Sequence, residues 1–287
     1  MLEFDVLIVG GGAAGMSAAV SAKEEGCESI LLVESREYLG GILPQCIHNG
    51  FGNGLTGPEY EKEIEKRFLK SGCEYMLGSS VLRIDGDKKA YVSTRSGIIA
   101  VKFAALILAA GCTEIPFGAL GIAGTRPAGI YGAGQAQELI NLMGKSIGKN
   151  AVIIGCGDLG MIMARRLTLS GVKVLAVVEK GPGHNGLARN YRDCIEKYGI
   201  SVIYNKTVAE IRGAERISSV RLSDGREIFC DTLLVAAGLK CDRTLERGHE
   251  KADWLFMCGN CEKVHDMVES AVTQAQKTGK EVYSYLT

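Results

Sequence analysis

Short apolar runs alternate along this chain with longer stretches of mixed polarity, and the same sequence of runs occurs twice. The first pass predicts a strand over 4–9 ending in Val6-Leu7-Ile8-Val9, a helix over 13–25 and a strand over 29–34. Apolar runs of this length bounded by turn residues are strand-like, whereas 13–25 carries the longer helical pattern. A loop opens at Gly40-Gly41 and runs to about Gly57. Thr56 is then an N-cap, Glu59 its partner three residues on, and Pro58 sits in the first turn, so a helix starts there and runs to Ser71-Gly72. Short strands follow at about 74–77, 80–85, 89–95 and 98–103, with Asp85-Gly86 and Ser96-Gly97 as hairpin turns, and then the strand Ala105 to Ala109.

The second pass predicts strand 151–154, helix 158–170, strand 174–178 and helix 188–198. Strands near 201–204, 208–212, 217–222 and 226–229 come next, then Thr232 to Ala236. Leu106-Ile107-Leu108-Ala109-Ala110-Gly111 and Leu233-Leu234-Val235-Ala236-Ala237-Gly238 end the two passes alike, so the chain reads as internally duplicated. After residue 241 a polar stretch leads to a strand at Trp254-Leu255-Phe256-Met257-Cys258 and a helix from about His265 to Lys277. This tail is too short for a domain of its own and is expected to complete the first one.

The chemistry-bearing feature is also duplicated. Gly10, Gly12 and Gly15 follow the first strand; Gly155, Gly157 and Gly160 follow the corresponding strand of the second pass. In each case a glutamate ends the next strand at the same distance, Glu34 and Glu179. The first glycine of such a turn lets the chain reverse, the second lets a pyrophosphate approach the backbone, and the third lets helix and strand pack closely. Free N–H groups and the positive end of the following helix favour phosphate. The glutamate can accept hydrogen bonds from an adenosine ribose and repels a 2′-phosphate, which favours FAD, or NAD over NADP. Lys180, beside Glu179, softens that preference in the second unit. One such turn is weak evidence; two in matching frames point to two dinucleotide sites.

Composition narrows the partners. The 287 residues hold 33 Lys plus Arg and 33 Asp plus Glu, so the formal net charge is zero and no basic surplus exists to attract nucleic acid or an anionic membrane. The longest apolar runs, such as Ala104 to Ala110, are too short to span a bilayer. Ten cysteines lack a disulfide-framework spacing and no charged leader precedes the first strand, so reduced thiols and a cytoplasmic location are expected.

Together these features resemble the two-dinucleotide-binding flavoproteins, the pyridine nucleotide–disulfide oxidoreductases, over essentially the whole chain. The resemblance implies an α/β fold of two Rossmann-like domains, glutathione-reductase-like. An FAD domain would comprise 1–117 and 242–287, with an NAD(P)H domain, 118–241, inserted in it. Further stretches, Gly40-Gly41-Ile42-Leu43-Pro44-Gln45-Cys46-Ile47-His48-Asn49-Gly50-Phe51-Gly52 and Cys258-Gly259-Asn260 with Val264-His265-Asp266, are most similar to flavoprotein subunits found with glycerol-3-phosphate-dehydrogenase-type proteins and to subunits of opine, sarcosine and cyanide-forming dehydrogenases. By resemblance Gly10, Gly12, Ala14, Gly15, Glu34, Ser35, Gly41, Ala110, Gly111, Gly259 and Asn260 hold FAD. Gly155, Gly157, Asp158, Gly160, Glu179 and Gly238 would hold NAD(H), with NADP(H) second. The family's usual Gly-Asp near the C-terminus is Gly259-Asn260 here, which keeps a hydrogen bond to the ribityl chain and loses a charge. The last helix is expected to direct its N-terminus, with His265, at the flavin, with Asp266 as its cap.

The implied activity is hydride transfer between nicotinamide and flavin, with a partner dehydrogenase subunit handling a small metabolite, glycerol 3-phosphate being the family's suggestion, or with a second copy of the chain. Two other readings stay open. One is a free-standing NADH oxidase or peroxidase built on Cys46, whose thiolate His48 could stabilise; the other is a non-catalytic nucleotide-binding assembly protein. Disulfide reduction is disfavoured. The loop after Gly40-Gly41 holds Cys46 alone, and Tyr131-Gly132-Ala133-Gly134-Gln135-Ala136 stands where the thioredoxin-reductase class carries its CxxC. Cys46 is accordingly expected to be dispensable for electron transfer from NADH. Cys258, Cys261 and His265 have a CxxCxxxH spacing, but a structural zinc site needs a fourth ligand that the sequence does not supply, so no metal is expected.

Overall fold

The structure is a computed structural model that describes residues 1–287. It divides into two compact units, Met1–Thr113 with Lys240–Thr287, and Glu114–Leu239. The crossings fall a few residues earlier than the 117/118 and 241/242 boundaries expected from sequence.

In the first unit the sheet runs Glu74–Met76, Ile30–Val33, Leu2–Val9, Gly97–Leu108, Lys89–Thr94, Ser80–Asp85. The first four are parallel, with Leu7 opposite Leu31 and Leu106. The sequence suggested two strands over 98–109. The structure has one of twelve residues, because its partner changes midway: residues 97–102 pair antiparallel with Lys89–Thr94, and Leu106–Leu108 pair parallel with Leu255–Met257. The tail thus does add a strand to the first unit's sheet.

Both faces of this sheet are covered, so strand residues of either parity are buried. Val6, Ile8, Leu32, Ala105 and Ile107 join one cluster; Leu7, Val9, Leu31, Leu106, Leu108 and Trp254 join the other. On the first face lie the helices Ala13–Glu25, Gly57–Ser71 and Val268–Leu286. The opening helix is almost all Ala, Ser and Gly on its buried side, which lets the last helix come close. A Cβ on Gly279 would sit 2.6 Å from the Ala18 carbonyl oxygen, and Ser21 Oγ donates to the Gln276 carbonyl at 2.7 Å. The Thr56–Glu59 cap forms as the sequence predicts, with Glu59 Oε2 accepting from Thr56 N at 2.8 Å and Thr56 Oγ1 at 2.7 Å.

The last helix departs from expectation. It spans Val268–Leu286, so it starts three residues later and ends nine residues later than read from sequence. Met267 is its N-cap and no side chain caps it, so Asp266 does not do so. The extra length is stabilised by a buried stripe of Ala271, Ala275, Thr278, Gly279 and Val282 that polar neighbours such as Lys277 and Lys280 disguise.

The second unit repeats the strand order of the first. Val202–Ile203, Lys173–Val178, Asn150–Ile154 and Thr232–Val235 form a parallel sheet with Ile130–Gly132 added at the edge. A separate four-stranded sheet of Ala123–Gly124, Val208–Gly213, Ile217–Leu222 and Glu227–Phe229 packs on it through Val152, Val178, Leu233, Ile211, Val220 and Leu222. The helix Ala133–Gln137, continued by a π turn at Glu138–Leu142, was not foreseen. Neither glycine turn tolerates a side chain at its third position: a Cβ on Gly160 would lie 2.1 Å from the Gly155 carbonyl oxygen, and one on Gly15 would lie 1.8 Å from that of Gly10. Gly160→Ala is therefore expected to destabilise the second unit by about 1–3 kcal/mol in denaturant unfolding. Wild-type stability in that variant would show that the turn is not packed as described.

Candidate functional site

Each glycine turn is built in the same way. Gly10 and Gly155 have φ of 110° and 97°, and a Cβ on either would strike the carbonyl oxygen of Ala109 at 2.4 Å or of Ala236 at 2.2 Å, the residues that immediately follow the returning strands. The middle glycines are open. A Cβ on Gly12 would meet nothing nearer than Gly41 Cα at 3.8 Å, and one on Gly157 would meet nothing within 4 Å. No side chain caps the helices Ala13–Glu25 and Asp158–Leu169 that start there. Each turn therefore offers bare backbone and first-turn N–H groups that have no intrahelical acceptor, as a pyrophosphate requires. On these observations the residues present fit the phosphates of a dinucleotide in both units.

The glutamates do more than the sequence suggested. Glu34 is buried; its Oε2 accepts from Gly11 N at 2.6 Å and its Oε1 from Arg36 N at 2.7 Å and Ser35 Oγ at 3.1 Å. Glu179, also buried, places Oε2 on Cys156 N at 2.8 Å and Oε1 on Gly181 N at 2.8 Å. In both units one carboxylate ties the glycine turn to the loop after the second strand. Its remaining lone pairs are what a ribose could use.

Around the first turn, Gly40 N donates to the Gly11 carbonyl at 2.9 Å, and a Cβ on Gly41 would approach Gly12 Cα to 3.1 Å. Gly259, with φ of 67°, packs on Ala14, where a Cβ would come to 2.6 Å of the alanine methyl. Ala110 and Gly111 follow the long strand Gly97–Leu108, the latter with φ of 77°. Asn260 turns its amide to the protein: Oδ1 accepts from His265 N at 3.0 Å and Nδ2 approaches Cys112 Sγ at 3.6 Å. His265 places Nε2 on Gln274 Oε1 at 2.8 Å.

Cys46 is buried beside the start of the helix Gly57–Ser71, its carbonyl accepting from Gly57 N at 2.8 Å. Burial pushes its thiol up to about 12, so the reactive thiolate that a Cys46 peroxidase would use is scarce at neutral pH. The ring of His48 lies 5.2 Å from that of Phe51. Cys258 and Cys261 are likewise buried and raised by burial, Cys261 to about 11, with its Sγ donating to the Leu108 carbonyl at 2.9 Å. Neither thiol meets His265, and no group of three or more His, Cys, Asp or Glu is gathered as metal ligands anywhere in the chain.

In the second unit Asp158 Oδ1 accepts from Leu187 N at 2.8 Å and Asn190 Nδ2 at 2.6 Å, so the start of the helix Ala188–Cys194 holds this carboxylate. His184 stacks on Tyr191 at 4.6 Å and bonds the Gly186 carbonyl through Nδ1 at 3.0 Å. Gly238, with φ of 127°, follows the strand Thr232–Val235 and accepts from Ile115 N at 3.0 Å. Glu114 Oε1 accepts from Gly134 N at 2.8 Å, and its Oε2 would lie 2.4 Å from a Cβ on Gly132. A carboxylate thus occupies the helix start in the segment that lacks a CxxC. Glu114, Asn190 and Gln274 carry no sequence signal; their roles depend on which residues folding brings to them.

No helix is long and apolar enough to cross a membrane. Residues 4–275 match the family described as pyridine nucleotide-disulphide oxidoreductase. The chain is 27% identical over 269 residues to monodehydroascorbate reductase 2, peroxisomal, of Oryza sativa subsp. japonica, covering 85% of this chain and 55% of that protein. It is 26% identical over 267 residues to an opine oxidase subunit of Agrobacterium tumefaciens (strain Ach5), covering 82% and 52%. The chain spans about half the length of these curated relatives. The fold is that of a T. acidophilum thioredoxin reductase, with a TM-score of 0.79 at 22% identity over 99% of both chains.

Two outcomes follow from the buried groups. Glu34→Ala leaves the buried Gly11 N–H without its acceptor, while the half-buried Arg36 N–H can turn to water, and is expected to cost roughly 1–3 kcal/mol, read by chemical denaturation; a loss under about 0.5 kcal/mol would contradict the bracing role. The Cys46 thiol ionises less readily folded than unfolded. Its stabilising share is therefore complete below its ordinary value of 9.0 and is lost as pH rises toward about 12, at no more than about 1.4 kcal/mol per pH unit. Cys46→Ala should flatten part of the alkaline fall in stability; identical pH curves would contradict the burial argument.

Proposed function

The chain belongs to the pyridine nucleotide-disulphide oxidoreductase family, whose members use FAD and NAD(P)H, and from that premise we propose an FAD-dependent NADH oxidoreductase that serves as the electron-transfer subunit of a multi-component dehydrogenase. Residues 1–113 with 240–287 hold FAD, and residues 114–239 hold NADH. The observation that carries this reading is the pair of open glycine turns, each braced by a buried glutamate.

When bound, the two cofactors supply the hydride transfer themselves. The chain's residues bind and orient them. The backbone at Gly12 and at Gly157 receives phosphates without steric conflict, and the helices beginning at Ala13 and Asp158 turn their positive ends to them. Glu34 and Glu179 fix the turns and present their free lone pairs to ribose hydroxyls. Asn190 and Leu187 hold the Asp158 carboxylate by Oδ1, which steadies a negative group at the start of a helix that must accept a phosphate. The site calls for no side-chain nucleophile, and the protonated state of Cys46 agrees with that.

The partner role is supported by the similarity to the opine oxidase component, by the lack of a thiol pair in the loop after Gly40-Gly41, and by Glu114 standing at the start of the helix Ala133–Gln137. The partner handles a small metabolite or is a second copy of this chain.

Anaerobic stopped-flow mixing of the FAD-loaded protein with NADH tests the activity: the visible flavin absorbance is expected to bleach, and a flavin left oxidised would refute the proposal. Glu179→Gln removes the charge that opposes a 2′-phosphate. It is expected to lower the NADH-to-NADPH ratio of kcat/KM by about tenfold, roughly 1.4 kcal/mol. An unchanged ratio would remove Glu179 from cofactor choice.

A further inference from the structure

One side chain gathers the segment between the last strand and the last helix. Gln274 Oε1 accepts from Gly259 N at 2.9 Å and contacts His265 Nε2 at 2.8 Å, while its Nε2 donates to Glu262 Oε2 at 2.6 Å. A backbone N–H can only donate and an ionised carboxylate can only accept, so the amide can be turned one way alone. Reversed, it would set donor against donor at Gly259 and acceptor against acceptor at Glu262. The atom facing His265 is therefore an oxygen without a proton, and a neutral His265 must carry its hydrogen on Nε2. Nδ1 is then the acceptor nitrogen, and it has no hydrogen-bond partner in the protein.

The surroundings hold the ring from its backbone as well. His265 N donates to Asn260 Oδ1 at 3.0 Å, and Asn260 is tied through Nδ2 to Cys112 Sγ at 3.6 Å. Gly259, whose N–H shares the Gln274 oxygen, packs on Ala14 in the first turn of the helix that starts at the Gly10–Gly15 cradle. The fixed imidazole thus belongs to the segment seated against that cradle.

We propose that Gln274 is a positioning residue that locks His265 in the Nε2–H tautomer, leaving Nδ1 as an acceptor for an N–H or O–H group of a molecule bound at the first unit's cradle. The identity of that molecule as flavin rests on the function proposed above; the tautomer does not.

Histidine tautomers are read directly by long-range ¹H–¹⁵N correlation on the full chain labelled with ¹⁵N-histidine. Only four histidines are present, and two give internal references. His249 Nε2 meets the Ile84 carbonyl at 3.0 Å and His184 Nδ1 meets the Gly186 carbonyl at 3.0 Å, so the first is an Nε2–H and the second an Nδ1–H tautomer. In the wild type, above the pH at which the rings are protonated, His265 is expected as a single Nε2–H tautomer with a solvent-protected Nε2 proton. Gln274→Met removes the acceptor at similar length. It is expected to abolish the protected proton and move the Nδ1 resonance toward that of free histidine, with His184 and His249 unmoved. An Nδ1–H or averaged His265 in the wild type would overturn the proposal whether or not the variant folds, as would a protected Nε2 proton that survives Gln274→Met. Addition of FAD separates the two levels. A shift of the His265 Nδ1 resonance alone supports the flavin at this cradle; an unmoved resonance with the tautomer intact retires the flavin placement and leaves the locked tautomer standing.

Discussion

A carboxylate taken out of water must be surrounded by donors, and in this molecule that requirement shapes both glycine turns. Glu34 and Glu179 end the second strand of each unit, lie buried, and find their donors in the backbone of the glycine turn on one side and of the following loop on the other. Bare peptide N–H groups at the turn are available because glycine keeps side chains away. The turn in turn keeps its shape because a charged acceptor, which makes hydrogen bonds about twice as strong as a neutral one, spans it. Removing either partner leaves the other buried without its match, so strand end, turn and loop hold together as one unit.

The three glycines divide the remaining constraints. The first and third are packed against carbonyl oxygens, those of Ala109 and Ala236 for the first and of the turn itself for the third, and so fix how helix, turn and returning strand meet. The middle one is left open in both units. A turn that served only to pack a helix on a sheet would gain nothing from an uncovered second glycine and an uncapped helix start. Their joint occurrence, twice, is what the proposed nucleotide sites rest on. The cysteines agree with the proposed function: those at Cys46, Cys258 and Cys261 are buried and raised by burial, as suits the proposal that cofactors carry the redox chemistry.

What was legible in the sequence was local. The cap of Thr56 and Glu59 and the two glycine turns depend on residues a few positions apart, and they form as read. The strand Gly97–Leu108 was read as two because its polarity changes where its neighbour changes, from Lys89–Thr94 to a strand about 150 residues further on. The last helix was placed too early because Asp266 looks like a cap, whereas the backbone of His265 is held by Asn260 and the helix waits until Val268. The sequence points to the glutamates as ribose ligands; their bracing of the turns arises only on folding, since nothing at Glu34 announces that Gly11 and Arg36 donate to it. Glu114, Asn190 and Gln274 are silent for the same reason, each acting on residues nine or more positions away.

The central claim is that each braced turn holds its own dinucleotide. Calorimetric titration of FAD and NADH, singly and together, into the wild type, Gly12→Val and Gly157→Val tests it most directly. The account predicts one FAD and one NADH per chain bound at once, with Gly12→Val losing only FAD and Gly157→Val losing only NADH. Competition between the two ligands for one site, or loss of both from either substitution in a folded protein, would contradict it.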